Sequence, residues 1–293
     1  MIVIADFFAA KTLAFFYDNS PFKTTYSISK TTEDLLIFGS SRASNHYVPS
    51  SFAETLGITC FNNGYNGQDI YYHYSILEST LSRYNPKIII YDISNWDFRK
   101  DKRDTESLSL ILPNYSDLND SIKKLIEEMG PYEKYKLWSH CYPYNSMIIR
   151  IAECYYLNKD KRMGKSGYTP LSGLLKKVSM KHIEDDDQVL DPQKISYLEK
   201  FIIDAKKNNI YLIIAISPTT KVRDNNFLQS LTDIHNIEFW DYSNNPDFMK
   251  PEFFKDPTHM NSIGAEKYSN ALAERIKNMN IGYGINEAIL KRY

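Results

Sequence analysis

Three residue types that together perform nucleophilic catalysis in proteins occur near the two ends of this sequence. Ser41 follows the apolar run DLLIF and the turn residues Gly39 and Ser40, so it stands just after a predicted strand. Asp256 and His259 lie three residues apart in the segment DPTH. A serine hydroxyl becomes nucleophilic when a histidine accepts its proton, and that histidine needs a carboxylate to fix its tautomer. The pattern predicts a triad of Ser41, Asp256 and His259.

Each of these signals also has a plainer interpretation. Serines after a strand most often cap the next helix, and Ser40 and Ser41 could do only that. A lone D-x-x-H spacing arises by chance and could reflect a surface hydrogen bond. The position of DPTH favours catalysis, because it lies between the last predicted strand and the last predicted helix, where one crevice can collect it with Ser41.

Catalysis at a carbonyl also requires donors for the negative charge that develops on its oxygen. Three donors are available: the backbone N–H of Ser41, the backbone N–H of Gly67 in the loop NNGYNG, and the side-chain amide of Asn95. Nearby polar residues could be confused with these and are typical turn formers; they are Asn63, Asn66 and Asp97. We therefore predict an oxyanion hole made by Ser41, Gly67 and Asn95.

Short apolar runs alternate with segments of helical periodicity along most of the chain. Strands are predicted at residues 34–38, 58–61, 87–93, 210–216 and 237–240. Helices are predicted at residues 68–84, 192–208, 225–234 and 262–279, and two more, at 116–129 and 144–157, lie in an insertion. This alternation indicates a parallel sheet covered on both faces. We predict a flavodoxin-like three-layer α/β/α fold with a five-stranded parallel sheet of order 2-1-3-4-5, which gathers the polar loops at the carboxyl ends of the strands.

The chain divides into three parts. Residues 33–280 are predicted to form the α/β domain, with the helical insertion at 99–187, and residues 281–293 form a tail. Residues 1–32 precede the domain and begin with an apolar segment that Asp6 and Lys11 interrupt. That segment is too short to span a bilayer. It is either the trailing part of a membrane anchor in a longer precursor or an amphipathic helix packed on the domain.

Composition and charge argue against several other classes of protein. The chain has 35 basic and 36 acidic residues without a basic patch, so nucleic acid is not an expected partner. Cys60, Cys141 and Cys154 lack C-x-x-C spacing, which indicates buried or free thiols and not a disulfide framework or a zinc site. His46 and His73 have no carboxylate at ligand spacing, so we expect them at the surface or rim and not as metal ligands. Nucleophilic catalysis by a serine requires no metal and no organic cofactor, and we predict none.

Three segments together resemble the sequence blocks of the SGNH/GDSL hydrolase superfamily. FGSSR resembles the block that contains the nucleophile, NNGYNG the block with the oxyanion glycine, and DPTHMNSIG the terminal D-x-x-H block. They occur in the family's order and span residues 33–278. The resemblance implies that Ser41 is the nucleophile, Asp256 the orienting acid and His259 the base, with Gly67 in the oxyanion hole.

Two positions depart from the family pattern. Ser40 stands where the family usually has Asp, a residue outside the triad. The third block, normally Gly followed by Asn-Asp, reads SNWD at residues 94–97, so Asn95 matches only after a shift of one residue. The resemblance therefore implies an intact triad and an altered oxyanion block.

The resemblance also implies a carboxylic ester hydrolase that forms an acyl-serine intermediate. With GSSR in the first block and a GYTPL segment, the chain resembles a bacterial subgroup associated with cell-surface polysaccharide, which implies an O-acetyl ester of a carbohydrate as substrate. Two alternatives stay open: an O-acyltransferase acting on such a polysaccharide, and a catalytically inactive glycan-binding or assembly protein. The association favours the bacterial cell envelope over the cytoplasm, and the sequence indicates no oligomeric state.

Overall fold

The structure is a computed structural model that describes residues 2–100, 108–157, 166–179, 181–182 and 190–279. Contacts divide the chain into two compact units, each built from segments that are distant in sequence. The first unit comprises the described residues up to 31, residues 71–84 and the described part of 101–163. The second unit comprises residues 32–70, residues 85–100 and the described residues after 164.

Eleven α-helices occur in the part of the chain that the structure describes. In chain order they are α1 (Ile2–Asp18), α2 (Lys23–Ser29), α3 (Ser41–His46), α4 (Pro49–Leu56), α5 (Ile70–Leu81), α6 (Asp120–Glu128), α7 (Glu133–Lys136), α8 (Ile148–Leu157), α9 (Pro192–Lys207), α10 (Asn226–His235) and α11 (Ser262–Asn278). Short 3-10 helices lie between them, at Asn95–Phe98, Leu112–Asp117, Tyr142–Met147 and Pro251–Phe253.

Five parallel strands form the sheet of the second unit. They are β1 (Leu35–Gly39), β2 (Cys60–Asn62), β3 (Ile88–Asp92), β4 (Tyr211–Ile216) and β5 (Glu238–Asp241), in the spatial order β2-β1-β3-β4-β5. This order confirms the predicted flavodoxin-like α/β fold. A separate pair of two-residue parallel strands joins Lys181–His182 to Lys221–Val222.

Helices of the second unit cover both faces of this sheet. Leu35 and Ile37 of β1 belong to a buried cluster that also contains Phe52 of α4 and residues of α11. Successive residues of a strand point to opposite faces, and Phe38 accordingly packs against Phe201 of α9, with ring centroids 5.4 Å apart. All five residues of β1 and all five of β3 are buried. Strands that are covered on both faces carry apolar residues at successive positions, which explains the continuous apolar runs in the sequence.

The insertion differs from its prediction where its helices begin. The helix predicted at 116–129 begins only at Asp120, because Asn119 caps α6 by accepting a hydrogen bond from the N–H of Ile122 at 3.0 Å. The helix predicted at 144–157 begins as the 3-10 helix Tyr142–Met147 and becomes α-helical at Ile148. Apolar periodicity continues through a cap or a 3-10 turn, so it does not mark these boundaries.

The N-terminal helices belong to the first unit. There α1 contacts α8, and the carboxylate of Asp6 accepts hydrogen bonds from the hydroxyl of Ser139 and the N–H of His140 at 2.8 and 2.7 Å. None of the helices that the structure describes is long and apolar enough to cross a membrane. The predicted tail at 281–293 lies outside the described residues.

Candidate active site

Ser41 stands at a sharp turn between β1 and α3. Gly39, the last residue of β1, has a φ of +131°, and a side chain there would overlap the carbonyl oxygen of Asp92. Only glycine fits this conformation and this close approach. Ser41 is the first residue of α3, and the side chain of Ser40 makes no capping hydrogen bond to the helix. The turn therefore places the Ser41 hydroxyl at the carboxyl end of the sheet.

The three side chains predicted to form a triad are joined by hydrogen bonds, with His259 between Ser41 and Asp256. Nε2 of His259 lies 2.8 Å from Oγ of Ser41. Nδ1 of His259 lies 3.1 Å from each carboxylate oxygen of Asp256. A carboxylate only accepts hydrogen bonds, so Nδ1 carries the ring hydrogen and Nε2 is left to accept the serine hydroxyl. This arrangement can transfer the Ser41 proton to His259.

Asp256 and His259 lie in a loop that local hydrogen bonds close. The N–H groups of Thr258 and His259 donate to Oδ1 of Asp256 at 2.8 and 2.9 Å. The N–H of Asp256 donates to the carbonyl oxygen of His259 at 3.3 Å. The loop ends where Asn261 caps α11 by accepting the N–H of Gly264 at 3.0 Å. The D-x-x-H spacing thus builds a compact turn that holds both side chains.

Hydrogen bonds also favour the charged form of Asp256. Partial burial raises the pKa of its carboxyl, but the N–H of Thr258 and the ring and N–H of His259 outweigh this and lower the pKa below its ordinary value. A carboxylate whose pKa is lowered in the folded protein stabilises the fold above the pKa of the unfolded chain. That contribution disappears as the pH falls through the lower, folded pKa.

Acid is therefore expected to destabilise the wild-type protein more than the Asp256→Asn variant. Urea unfolding would give the free energy of unfolding of both proteins from neutral pH to about pH 3, a range that includes the ordinary carboxyl pKa. The wild type should lose more stability over this range, because only the wild type has a carboxylate to protonate at this position. A difference between the two proteins that does not change with pH would contradict the lowered pKa.

A buried charged pair lies next to Ser41. Nη2 of Arg42 lies 3.1 Å from Oδ1 of Asp92, the last residue of β3, and the Asp92 side chain is fully buried. Burial raises the pKa of Asp92, while the charge of Arg42 and the hydroxyls of Ser217 and Tyr47 oppose the rise. Arg42 directly follows Ser41, so this ion pair attaches the start of α3 to β3.

Two histidines predicted to lie at the surface or rim are buried, so that prediction is wrong. His46 exposes 0% and His73 1% of its surface. The ring of His46 lies edge-on to that of His259, with centroids 6.2 Å apart. Sequence reasoning also missed Asp92 and Ser217, which line the same buried region. The sequence did contain one indication that Asp92 is functional, because it is a charged residue at the end of an apolar strand.

The loop after β2 is hydrogen-bonded to the strand and turn that lead to Ser41. The N–H of Asn63 donates to a carbonyl oxygen of β1 at 2.7 Å, and the N–H of Tyr65 donates to the carbonyl oxygen of Gly39 at 2.9 Å. Gly67 follows two residues later, is exposed and has a φ of +72°. The loop that carries Gly67 therefore leaves the sheet beside the turn of Ser41.

Asn95 begins the 3-10 helix that follows β3. Ser94 and Asp97 form a capping box around this helix, in which the Asp97 carboxylate accepts the N–H of Ser94 at 2.7 Å. Asp97 thus has a turn-forming role. Nδ2 of Asn95 donates to the carbonyl oxygen of Asp224 at 2.5 Å. A side-chain amide has two hydrogens, and this contact uses one of them.

The remaining candidates for metal or thiol chemistry are not arranged for it. Among the described residues, no group of three or more His, Cys, Asp or Glu side chains could hold a metal ion. No disulfide joins Cys60, Cys141 and Cys154, and burial raises the pKa of Cys60 well above its ordinary value. A raised pKa disfavours the reactive thiolate.

Two solved structures show a distant likeness to this chain. No protein-family profile matches the chain, and no curated protein sequence matches it significantly. A solved candidate lipolytic protein of the G-D-S-L family from Desulfitobacterium hafniense is 13% identical, with 82% of this chain and 97% of that chain covered and a TM-score of 0.43. A candidate acylhydrolase from Bacteroides fragilis is 12% identical, with 90% and 98% covered and a TM-score of 0.42. At these scores, nothing about the chemistry of this chain is taken from either protein.

Proposed function

We propose that this chain is a serine hydrolase of the SGNH/GDSL type that cleaves O-acyl esters through an acyl-Ser41 intermediate. The observation that carries the proposal is the contact of 2.8 Å between Nε2 of His259 and Oγ of Ser41, with Asp256 on the other ring nitrogen. An esterase assay with a small activated ester, such as p-nitrophenyl acetate, tests it directly. Wild-type turnover that disappears in Ser41→Ala is the expected result.

In the first half of the proposed reaction, Oγ of Ser41 attacks the carbonyl carbon of the ester. The Ser41 proton passes to Nε2 of His259, and the positive charge on the ring is stabilised by the ionised Asp256. The tetrahedral intermediate then breaks its bond to the alcohol oxygen. That oxygen takes the proton from His259, so a neutral alcohol leaves and the acyl group remains on Ser41.

In the second half, water takes the place of the alcohol. His259 accepts a proton from the water as its oxygen attacks the acyl carbon, and the bond to Oγ of Ser41 breaks when the proton returns to that oxygen. The products are a carboxylic acid and free Ser41. These steps use groups of this chain and water alone.

The developing oxyanion is proposed to bind the backbone N–H groups of Ser41 and Gly67 and the second amide hydrogen of Asn95. Asn95→Ala should then reduce kcat by roughly 10²- to 10³-fold with little change in KM, because the charge on this oxygen exists mainly in the transition state. Steady-state kinetics would measure this, with Asn66→Ala in the neighbouring loop as the matched control. An unchanged kcat in a folded Asn95→Ala variant would remove Asn95 from the oxyanion hole.

The substrate is proposed to be an O-acetyl ester of a carbohydrate. The support for this substrate is the GSSR and GYTPL segments, which resemble a bacterial subgroup associated with cell-surface polysaccharide. Trp96, which follows Asn95 directly, is 50% exposed, but the guanidinium groups of Arg99 and Arg223 each lie 4.3 Å from the centroid of its ring. Acetate release from O-acetylated polysaccharide, compared with the same polysaccharide after chemical deacetylation, tests the substrate class. If the protein hydrolyses small esters but releases no acetate from the polysaccharide, the proposed esterase activity stands and the proposed carbohydrate substrate is contradicted.

An O-acyltransferase is the second candidate, because a sugar hydroxyl can replace water in the second half of the same reaction. An acetyl donor and a saturating glycan acceptor would separate the two, since an acetylated acceptor identifies a transferase and free acetate alone identifies an esterase. The third candidate, an inactive glycan-binding or assembly protein, predicts glycan binding that persists in Ser41→Ala without turnover in the wild type.

A further inference from the structure

His46 is a fully buried side chain whose two ring nitrogens are both hydrogen-bonded. The N–H of Met260 donates to Nε2 at 2.9 Å, and Nδ1 lies 2.9 Å from Oγ of Ser217. Met260 directly follows His259 in the sequence, and Ser217 directly follows β4. The ring of His46 therefore joins two loops at the carboxyl end of the sheet, one of which carries the proposed base.

These contacts leave one protonation state for the His46 ring. Nε2 accepts a backbone N–H and therefore carries no hydrogen. The neutral ring carries its hydrogen on Nδ1 and donates it to Oγ of Ser217. Burial, the charge of Arg42 and the neighbouring His259 lower the pKa of His46 well below its ordinary value. The ring is therefore neutral near pH 7.

Arg42, the residue after the proposed nucleophile, also contacts this buried region. Arg42 pairs with Asp92, and the hydroxyl of Ser217 stabilises the charged form of that carboxylate. Arg42 and His46 lie four residues apart on α3, which begins with Ser41. The helix of the nucleophile is thus attached through Arg42 to β3 and through His46 to the loop that carries His259.

We propose that His46 is a positioning residue for catalysis. It holds the N–H of Met260 and thereby keeps the ring of His259 within hydrogen-bonding distance of Ser41. The role rests on the proposed function, because it requires Ser41 and His259 to be nucleophile and base. A displacement of about 1 Å at a catalytic group can cost on the order of 10²-fold in rate, so loss of this acceptor should lower kcat and leave KM nearly unchanged.

Two amide substitutions separate the two contacts of His46. The glutamine amide of His46→Gln reaches the position of Nε2 and can accept the N–H of Met260, whereas the shorter amide of His46→Asn reaches the position of Nδ1 and retains only Ser217. His46→Asn is expected to lose on the order of 10²-fold in kcat with little change in KM, while His46→Gln stays within about tenfold of the wild type. Urea unfolding of both variants shows whether their stabilities match.

An equal loss of kcat in the two variants, or a greater loss in His46→Gln, would contradict the positioning role. A second measurement does not depend on activity: ¹⁵N NMR of histidine-labelled wild-type protein reports the tautomer of each ring. His46 is expected as the neutral tautomer with hydrogen on Nδ1, and a charged ring or hydrogen on Nε2 at pH 7 would overturn the inference. If the wild type hydrolyses no ester, the proposed function fails, and the NMR result alone decides whether His46 holds Met260 as described.

Discussion

If Ser41 is the nucleophile as proposed, Ser41→Ala is expected to reduce kcat for ester hydrolysis by on the order of 10⁶-fold, as loss of the nucleophile does in triad enzymes. Without Oγ there is no atom to form the acyl intermediate, and the contact of 2.8 Å with His259 has no proton to transfer. Ser41 is only partly buried, so its replacement removes few packing contacts. Steady-state kinetics on an activated ester gives the loss, and thermal unfolding confirms that the variant is folded.

Ser40→Ala is the matched control for this substitution. Ser40 is adjacent in sequence and similarly exposed, but its side chain makes no hydrogen bond to α3. We expect this variant to retain wild-type activity within a few-fold. If Ser41→Ala keeps activity within tenfold of the wild type, another residue is the nucleophile and the proposed mechanism is wrong.

His259→Ala is expected to produce a loss as large as that of Ser41→Ala, and Asp256→Asn a loss of about 10⁴-fold. The histidine is the only acceptor placed on the serine hydroxyl in the part of the chain that the structure describes. The carboxylate fixes the ring tautomer through two contacts of 3.1 Å, and an amide in its place can stabilise the wrong tautomer. The same kinetic assay measures both variants.

The double variant Ser41→Ala/His259→Ala tests whether the two residues act as one unit. It should be no slower than either single variant, because each single change already removes the same step. His235→Ala serves as a control, since His235 ends α10 and precedes β5, at the amino end of the sheet. Losses that multiply in the double variant would show that the two residues act in separate steps.

The sheet could be predicted from the sequence because its strands carry a strong local signal. The runs that form β1 and β3 are apolar without interruption, and both strands are buried on both faces. Each of the five strands lies within two residues of its prediction at either end. The alternation of strands and helices indicated a parallel sheet with right-handed crossovers, and the order 2-1-3-4-5 was predicted as the flavodoxin-like arrangement of such a sheet.

The buried partners of His46 could not be predicted in the same way. Its bonds to Ser217 and Met260 join residues that are 171 and 214 positions apart. The short helix SRASNH has no apolar face that would indicate burial, and polarity alone favoured the surface. Ser41, Asp256 and His259 were easier to find, because each follows a predicted strand and the residue types already specify one reaction.

The division into two units was also invisible in the sequence. It groups the N-terminal helices with residues 71–84 and with the helices of the insertion. Asn114, for example, donates from its side chain to the hydroxyl of Tyr17 at 3.0 Å. A contact between side chains so far apart in sequence has no periodicity, so only the three-dimensional structure reveals it.

Intact-mass analysis after treatment with an activated fluorophosphonate tests the central claim most directly, because this reagent reacts preferentially with serines that a neighbouring base activates. We expect the wild-type chain to gain the mass of one adduct, and Ser41→Ala and His259→Ala to gain none. Ser40→Ala should be labelled like the wild type. A folded wild-type protein that gains no adduct, or an adduct that persists in Ser41→Ala, would contradict an activated Ser41.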